Sequence, residues 1–137
     1  MGILISFHLV GMVLWMSGLL VVSSQLRRAV KNGVTPEVVR VVIAPLAKVF
    51  MHSGFFLSLV TGILQLTIGG PANYFKAGWF HAKMTLLIIL IVMTVLLSKK
   101  LKAYISNNIP TEKSLLVIHI ISATTMLMIF ICATLKF

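Results

Sequence analysis

Residues 2–26 read GILISFHLVGMVLWMSGLLVVSSQL, and this stretch decides the fold. It holds no Lys, Arg, Asp or Glu, and it is longer than the ~20 residues a helix needs to cross the hydrocarbon of a bilayer. His8, Gly11, Trp15, Gly18 and Val22 recur at the three-to-four spacing of one helical face. An ionisable side chain inside a membrane span is costly, so His8 marks a functional site by default. Gly11 and Gly18 on the same face predict either tight helix contact or the close approach of a planar ring, and Trp15, far from both ends, packs inward.

Three further apolar runs, at about 45–68, 78–98 and 114–135, have the same character. The expected fold is an all-α membrane protein, one domain over residues 1–137, with four transmembrane helices in an up-down-up-down bundle. Composition agrees: 59% of the residues are hydrophobic and 10% charged, where a soluble domain carries about 25% charged. The net charge of +10 falls in the loops beside the spans, which points to topology and anionic lipid rather than nucleic acid. A lone cysteine, Cys132, leaves no internal disulfide or Cys-based zinc site and reads as packing. The first run exceeds the core of a signal peptide and reads as a retained helix; Met1-Gly2 and Ser6 match a myristoylation pattern only formally.

The connections carry the stop and start signals. Asn32-Gly33 predicts a turn, and Thr35-Pro36-Glu37 starts a helix that Pro45 bends. Gly69 to Asn73 forms a tight loop flanked by Tyr74 and Trp79, and Asn107 to Thr111 turns the chain into its last helix. Arg27, Arg28, Lys31, Arg40 and Lys48 lie in one connection and Lys99, Lys100, Lys102 and Lys113 in another, against Lys76, Lys83 and Lys136 elsewhere. This places connections 27–48 and 99–113 in the cytoplasm and both termini outside, in a bacterial-type inner membrane.

Each span holds one histidine, and the chain has no others: His8, His52, His81 and His119. By depth they form an outer pair, His8 with His81, and an inner pair, His52 with His119. Two histidines facing each other across a bundle can ligate a haem iron. The expectation is therefore a membrane cytochrome b that binds one or two haem b groups and carries electrons across the bilayer. His8, His81, His52 and His119 would be the metal ligands, with Trp15, Gly11, Gly18 and Lys83 around the ring. Lys83 points about 200° from His81 around their helix, which suits a carboxylate partner rather than iron. Copper is a further possibility for the imidazoles. Partners would be lipid and other membrane redox proteins or a quinone-linked chain, in an oligomer or a larger complex.

Several motifs resemble one family. His8, Trp15, Gly18 and Leu19, then Trp79-Phe80-His81-Ala82-Lys83, then Asn107-Asn108-Ile109-Pro110-Thr111, resemble segments of the HemJ-type protoporphyrinogen IX oxidases, and Pro45 falls at a family proline. The resemblance implies a small helical bundle that binds haem b and oxidises protoporphyrinogen IX, with His8 and Lys83 as its important residues. The chain departs from the pattern at Ser23-Ser24, Tyr104 and Asn108, where charged or proline residues are expected, and it adds His52 and His119. The CopD-like copper-handling membrane proteins look similar. The departures favour electron transfer over the parent activity, with the oxidase as the alternative.

Overall fold

The computed structural model describes residues 2–135; Lys136, counted above with the terminal side, lies outside the described residues. The chain forms α1 (Gly2–Asn32), α2 (Pro36–Gly69), a short α3 (Pro71–Phe75), α4 (Gly78–Ile105) and α5 (Glu112–Leu135), and the described residues contain no strand. All four long helices are long and apolar enough to cross a membrane.

The helices overrun the apolar runs because their ends are set by capping rather than by hydropathy. Gly33 takes a positive φ of 64° and sends α1 into a left-handed cap, with Val34 N–H bonded to Ala29 O at 3.0 Å. Asn107, at φ 68°, closes α4 in the same way, with Asn108 N–H on Ala103 O at 2.8 Å. The lysines and arginines between the apolar runs and these caps are good helix formers and simply continue the coil. Thr111 caps α5 through its hydroxyl, which accepts from Ser114 N–H at 3.4 Å. Thr35 occupies the cap position of α2, but its hydroxyl makes no capping bond.

Pro45 widens α2 rather than breaking it. Without an N–H, and with its ring crowding the carbonyl one turn back, it forces the coil to open. Five-residue π-type bonding runs through Val39–Ile43 and again through Ala47–His52, and Ala44 N–H reaches back to Val39 O.

The inward face of α1 is the centre of the bundle. Gly11, Trp15, Gly18, Leu19, Val22 and Leu26 are all buried there. One side of that face packs along α2, the other along α5, and α4 closes on α5. The contact with α2 is backbone against backbone. A Cβ on Gly11 would lie 2.6 Å from Ser58 N, and one on Gly54 would lie 2.3 Å from Trp15 N. Such spacing admits only glycine.

The two ends of the bundle differ. At the basic end the buried Tyr104 hydroxyl donates to the carbonyls of Ala29 and Val34, tying α4 to the α1–α2 turn. Arg27 and Glu112 pair there at 3.6 Å. At the end that carries the termini, α2 and α4 are not packed together, and a cleft lies between them.

Candidate functional site in the cleft between α2 and α4

The cleft has a volume of about 200 Å³. Its back wall is α1, through His8, Met12 and Trp15; its sides are α2, through Phe55 to Leu66, and α4, through Trp79 to Ile91. Trp15 forms the floor. Its indole N–H donates to Thr94 Oγ1 at 2.9 Å, and Phe55 meets its ring edge-on with centroids 5.1 Å apart. Tyr74, Trp79 and Phe80 interlock at the other end, with Tyr74–Trp79 and Trp79–Phe80 centroids 6.4 and 6.1 Å apart.

His8 is held in one tautomer. Its Nδ1 lies 3.0 Å from Ser58 O and 3.2 Å from Thr61 Oγ1. A carbonyl only accepts, so Nδ1 carries the proton and Nε2 keeps its lone pair. Thr61 fits this, because its own hydroxyl donates to Leu57 O at 2.6 Å and so can accept from Nδ1. Gly62 gives the ring room: a Cβ there would lie 3.2 Å from His8 Cε1. A histidine so oriented presents a free nitrogen to a metal or to a proton donor.

Lys83 enters the same cleft from α4. The Trp15–Thr94 bond sets the register of α4 on α1; counted back from Thr94, Lys83 falls level with Leu4. That is one helical turn, ~6 Å, nearer the termini than His8. The chain has only two acids, and both are engaged at the basic end: Glu37 with Arg40 at 2.6 Å and Glu112 with Arg27. Among the described residues no carboxylate stands beside Lys83.

The remaining expected site residues are placed elsewhere. His81 stands on the exposed face of α4, with Nε2 on Phe75 O at 2.8 Å, and it does not line the cleft. The angle between His81 and Lys83 explains this: α4 can turn only one of them inward, and it turns Lys83. His119 Nδ1 meets Ser23 Oγ at 2.7 Å, in the basic half of the bundle, and His52 lies at the end of the widened segment of α2. Among the described residues no group of three or more His, Cys, Asp or Glu is assembled. Gly11 and Gly18 serve the contact with α2 rather than a ring surface.

Sequence reasoning missed Ser58, Thr61 and Thr94, while Gly62 was expected among the small residues beside a ring. A signal existed for the first two: hydroxyl residues spaced along one face of an apolar span, at the depth His8 reaches from the neighbouring antiparallel helix.

Among known proteins, the chain is similar to a protoporphyrinogen IX oxidase of Helicobacter pylori (strain J99), with 30% identity over 92 residues. The match covers 64% of this chain and 60% of that protein. No family model and no solved structure matches. The resemblance read from the motifs is thus supported as a similarity to an oxidase of the HemJ type, of which the chain spans less than two thirds. The same finding overturns the reading as a two-haem cytochrome b that carries electrons across the bilayer, because the similarity is to an oxidase. The structure supplies a physical reason. The expected outer pair does not share one cavity, since His8 lines the cleft and His81 faces away from it.

Proposed function

We propose that the chain is a membrane-embedded oxidase of the protoporphyrinogen IX type, working in the cleft between α2 and α4. The observation that carries this is the pairing, in one apolar cleft, of a free imidazole nitrogen on His8 with the cation of Lys83, beside which the described residues place no carboxylate. A porphyrinogen supplies what each lacks. Its carboxylates answer the Lys83 ammonium, and its ring carries the hydrogens that oxidation removes.

In this reading His8 Nε2 accepts a proton from the ring while its Nδ1–H stays on Ser58 O. Trp15 and Phe55 close the floor and exclude water. Lys83 holds a carboxylate one turn above His8 and fixes the ring's position. Each oxidation step takes a pair of hydrogens from the ring, and a membrane quinone takes up both electrons and both protons, the one held on His8 Nε2 included, and leaves as quinol.

In a second reading that excludes the first, His8 would instead hold one haem b, because its single Nε2 lone pair either binds iron or accepts the ring proton. The Nδ1–H to carbonyl bond is the usual support of a metal-bound imidazole, and Nε2 is the free ligand atom. Bound there, haem would supply one-electron chemistry between substrate and quinone. The excess of Lys and Arg in the two basic connections supports a cytoplasmic position for them, and with it an outer-leaflet site in an inner membrane.

The test is rescue of a bacterial haem auxotroph that lacks its own protoporphyrinogen oxidase. The chain should restore growth without added haem, and His8→Ala or Lys83→Ala should abolish rescue while the protein remains in the membrane. Failure of the unaltered chain to rescue, with the protein present in the membrane, contradicts the proposal.

A further inference from the structure

The cleft has an aqueous end and a lateral side, and they are built differently. Towards the termini, Tyr74, Trp79 and Phe80 close it as an interlocked aromatic plug, and Phe80 is only 7% exposed. Sideways, between α2 and α4, the rim consists of Leu59, Ile63 and Met84, which are 42%, 53% and 40% exposed. In a bilayer that rim faces acyl chains, not water. The floor residue Trp15 is only 2% exposed, so whatever reaches it has to come through the cleft. Lys83 stands just inside this opening in an apolar setting, with no carboxylate beside it among the described residues.

From these features we infer that the site loads sideways from the lipid leaflet, through a portal between Leu59 and Ile63 on α2 and Met84 on α4. It selects amphipathic carboxylates: an apolar body enters from the acyl-chain region, and Lys83 captures the carboxylate. The inference rests on the cleft assigned above as the substrate site, but it concerns how that site is reached and which chemical class it admits. A lipid phosphate snorkelling to Lys83 is the other source of negative charge, and the test separates the two.

The chain has two tryptophans, so Trp79→Phe leaves Trp15 as the sole fluorophore. This protein is placed in phosphatidylcholine nanodiscs and titrated with bromine-labelled stearic acid or with the matching brominated stearyl alcohol. Sideways loading of carboxylates predicts that the acid quenches Trp15 several-fold more strongly than the alcohol at equal membrane concentration. Adding Lys83→Met should equalise the two, and adding Lys83→Arg should keep the difference. Narrowing the portal with Leu59→Phe and Ile63→Phe together should weaken quenching by the acid. No quenching by either probe means the cleft is closed to the leaflet and overturns the inference. Equal quenching by both in the Lys83 protein overturns the carboxylate selectivity and favours capture of a lipid phosphate. Quenching as expected, together with failed rescue of the auxotroph, would leave the portal standing and remove the oxidase reading.

Discussion

Trp15 of α1 donates its indole N–H to Thr94 of α4 at 2.9 Å, across the diagonal of the bundle. This one bond sets the register between two helices that otherwise touch little, and so decides that Lys83 rather than His81 meets the cleft. Trp15→Phe keeps the ring packing against Phe55 and removes the bond, while Thr94 retains its own bond to Leu90 O at 2.8 Å. A loss of about 1 kcal/mol in detergent-unfolding stability is expected. Trp15→Ala, which empties the floor, should cost about 3–5 kcal/mol.

The glycines separate structure from function. Gly54→Ala drives a Cβ to 2.3 Å from Trp15 N, backbone that cannot yield, and should destabilise the protein by at least about 1–3 kcal/mol. Gly62→Ala meets only the His8 ring, at 3.2 Å from Cε1. It should leave the melting temperature nearly unchanged while displacing the imidazole, and so lower turnover about tenfold or more. Melting curves and activity on the same two preparations check both statements.

Tyr104→Phe removes the hydroxyl that holds the α1–α2 turn against α4. Two carbonyls lose a buried donor, so a cost of about 1–3 kcal/mol is expected. Hydrogen exchange should show the loss at the basic end, around Val34, with the cleft unaffected.

Haem content distinguishes the four histidines. A reduced-minus-oxidised spectrum of purified protein should show at most one b-type haem per chain. His8→Ala should abolish it, and His52→Ala and His119→Ala should leave it in place. Half-loss on replacing His52 or His119 would contradict single-site binding by His8.

Much of this was legible in the sequence. The face His8–Gly11–Trp15–Gly18–Val22 could be read because a helix facing a core repeats every three to four residues, and Gly11, Trp15, Gly18 and Val22 are buried as that period requires. The divergence of Lys83 from His81 followed from helix geometry alone. What could not be read was which of the two points inward, because that depends on the register fixed by Trp15 and Thr94 from distant parts of the chain. His81 lies outside the cleft, where α3 offers it the Phe75 carbonyl, a partner that exists only after folding. The cleft itself arises where α2 and α4 fail to pack, and no single helix's pattern encodes a gap between two.

The most direct test follows protoporphyrinogen IX added in the dark to membranes that contain the protein, and records the rise of protoporphyrin fluorescence against membranes without it. The expected result is a rate clearly above background. His8→Ala should bring it to background, Lys83→Met should lower it about tenfold or more, and His81→Ala should leave it unchanged. A rate no greater than background with the unaltered protein, or one that survives His8→Ala, would contradict the assignment of the cleft as an oxidase site.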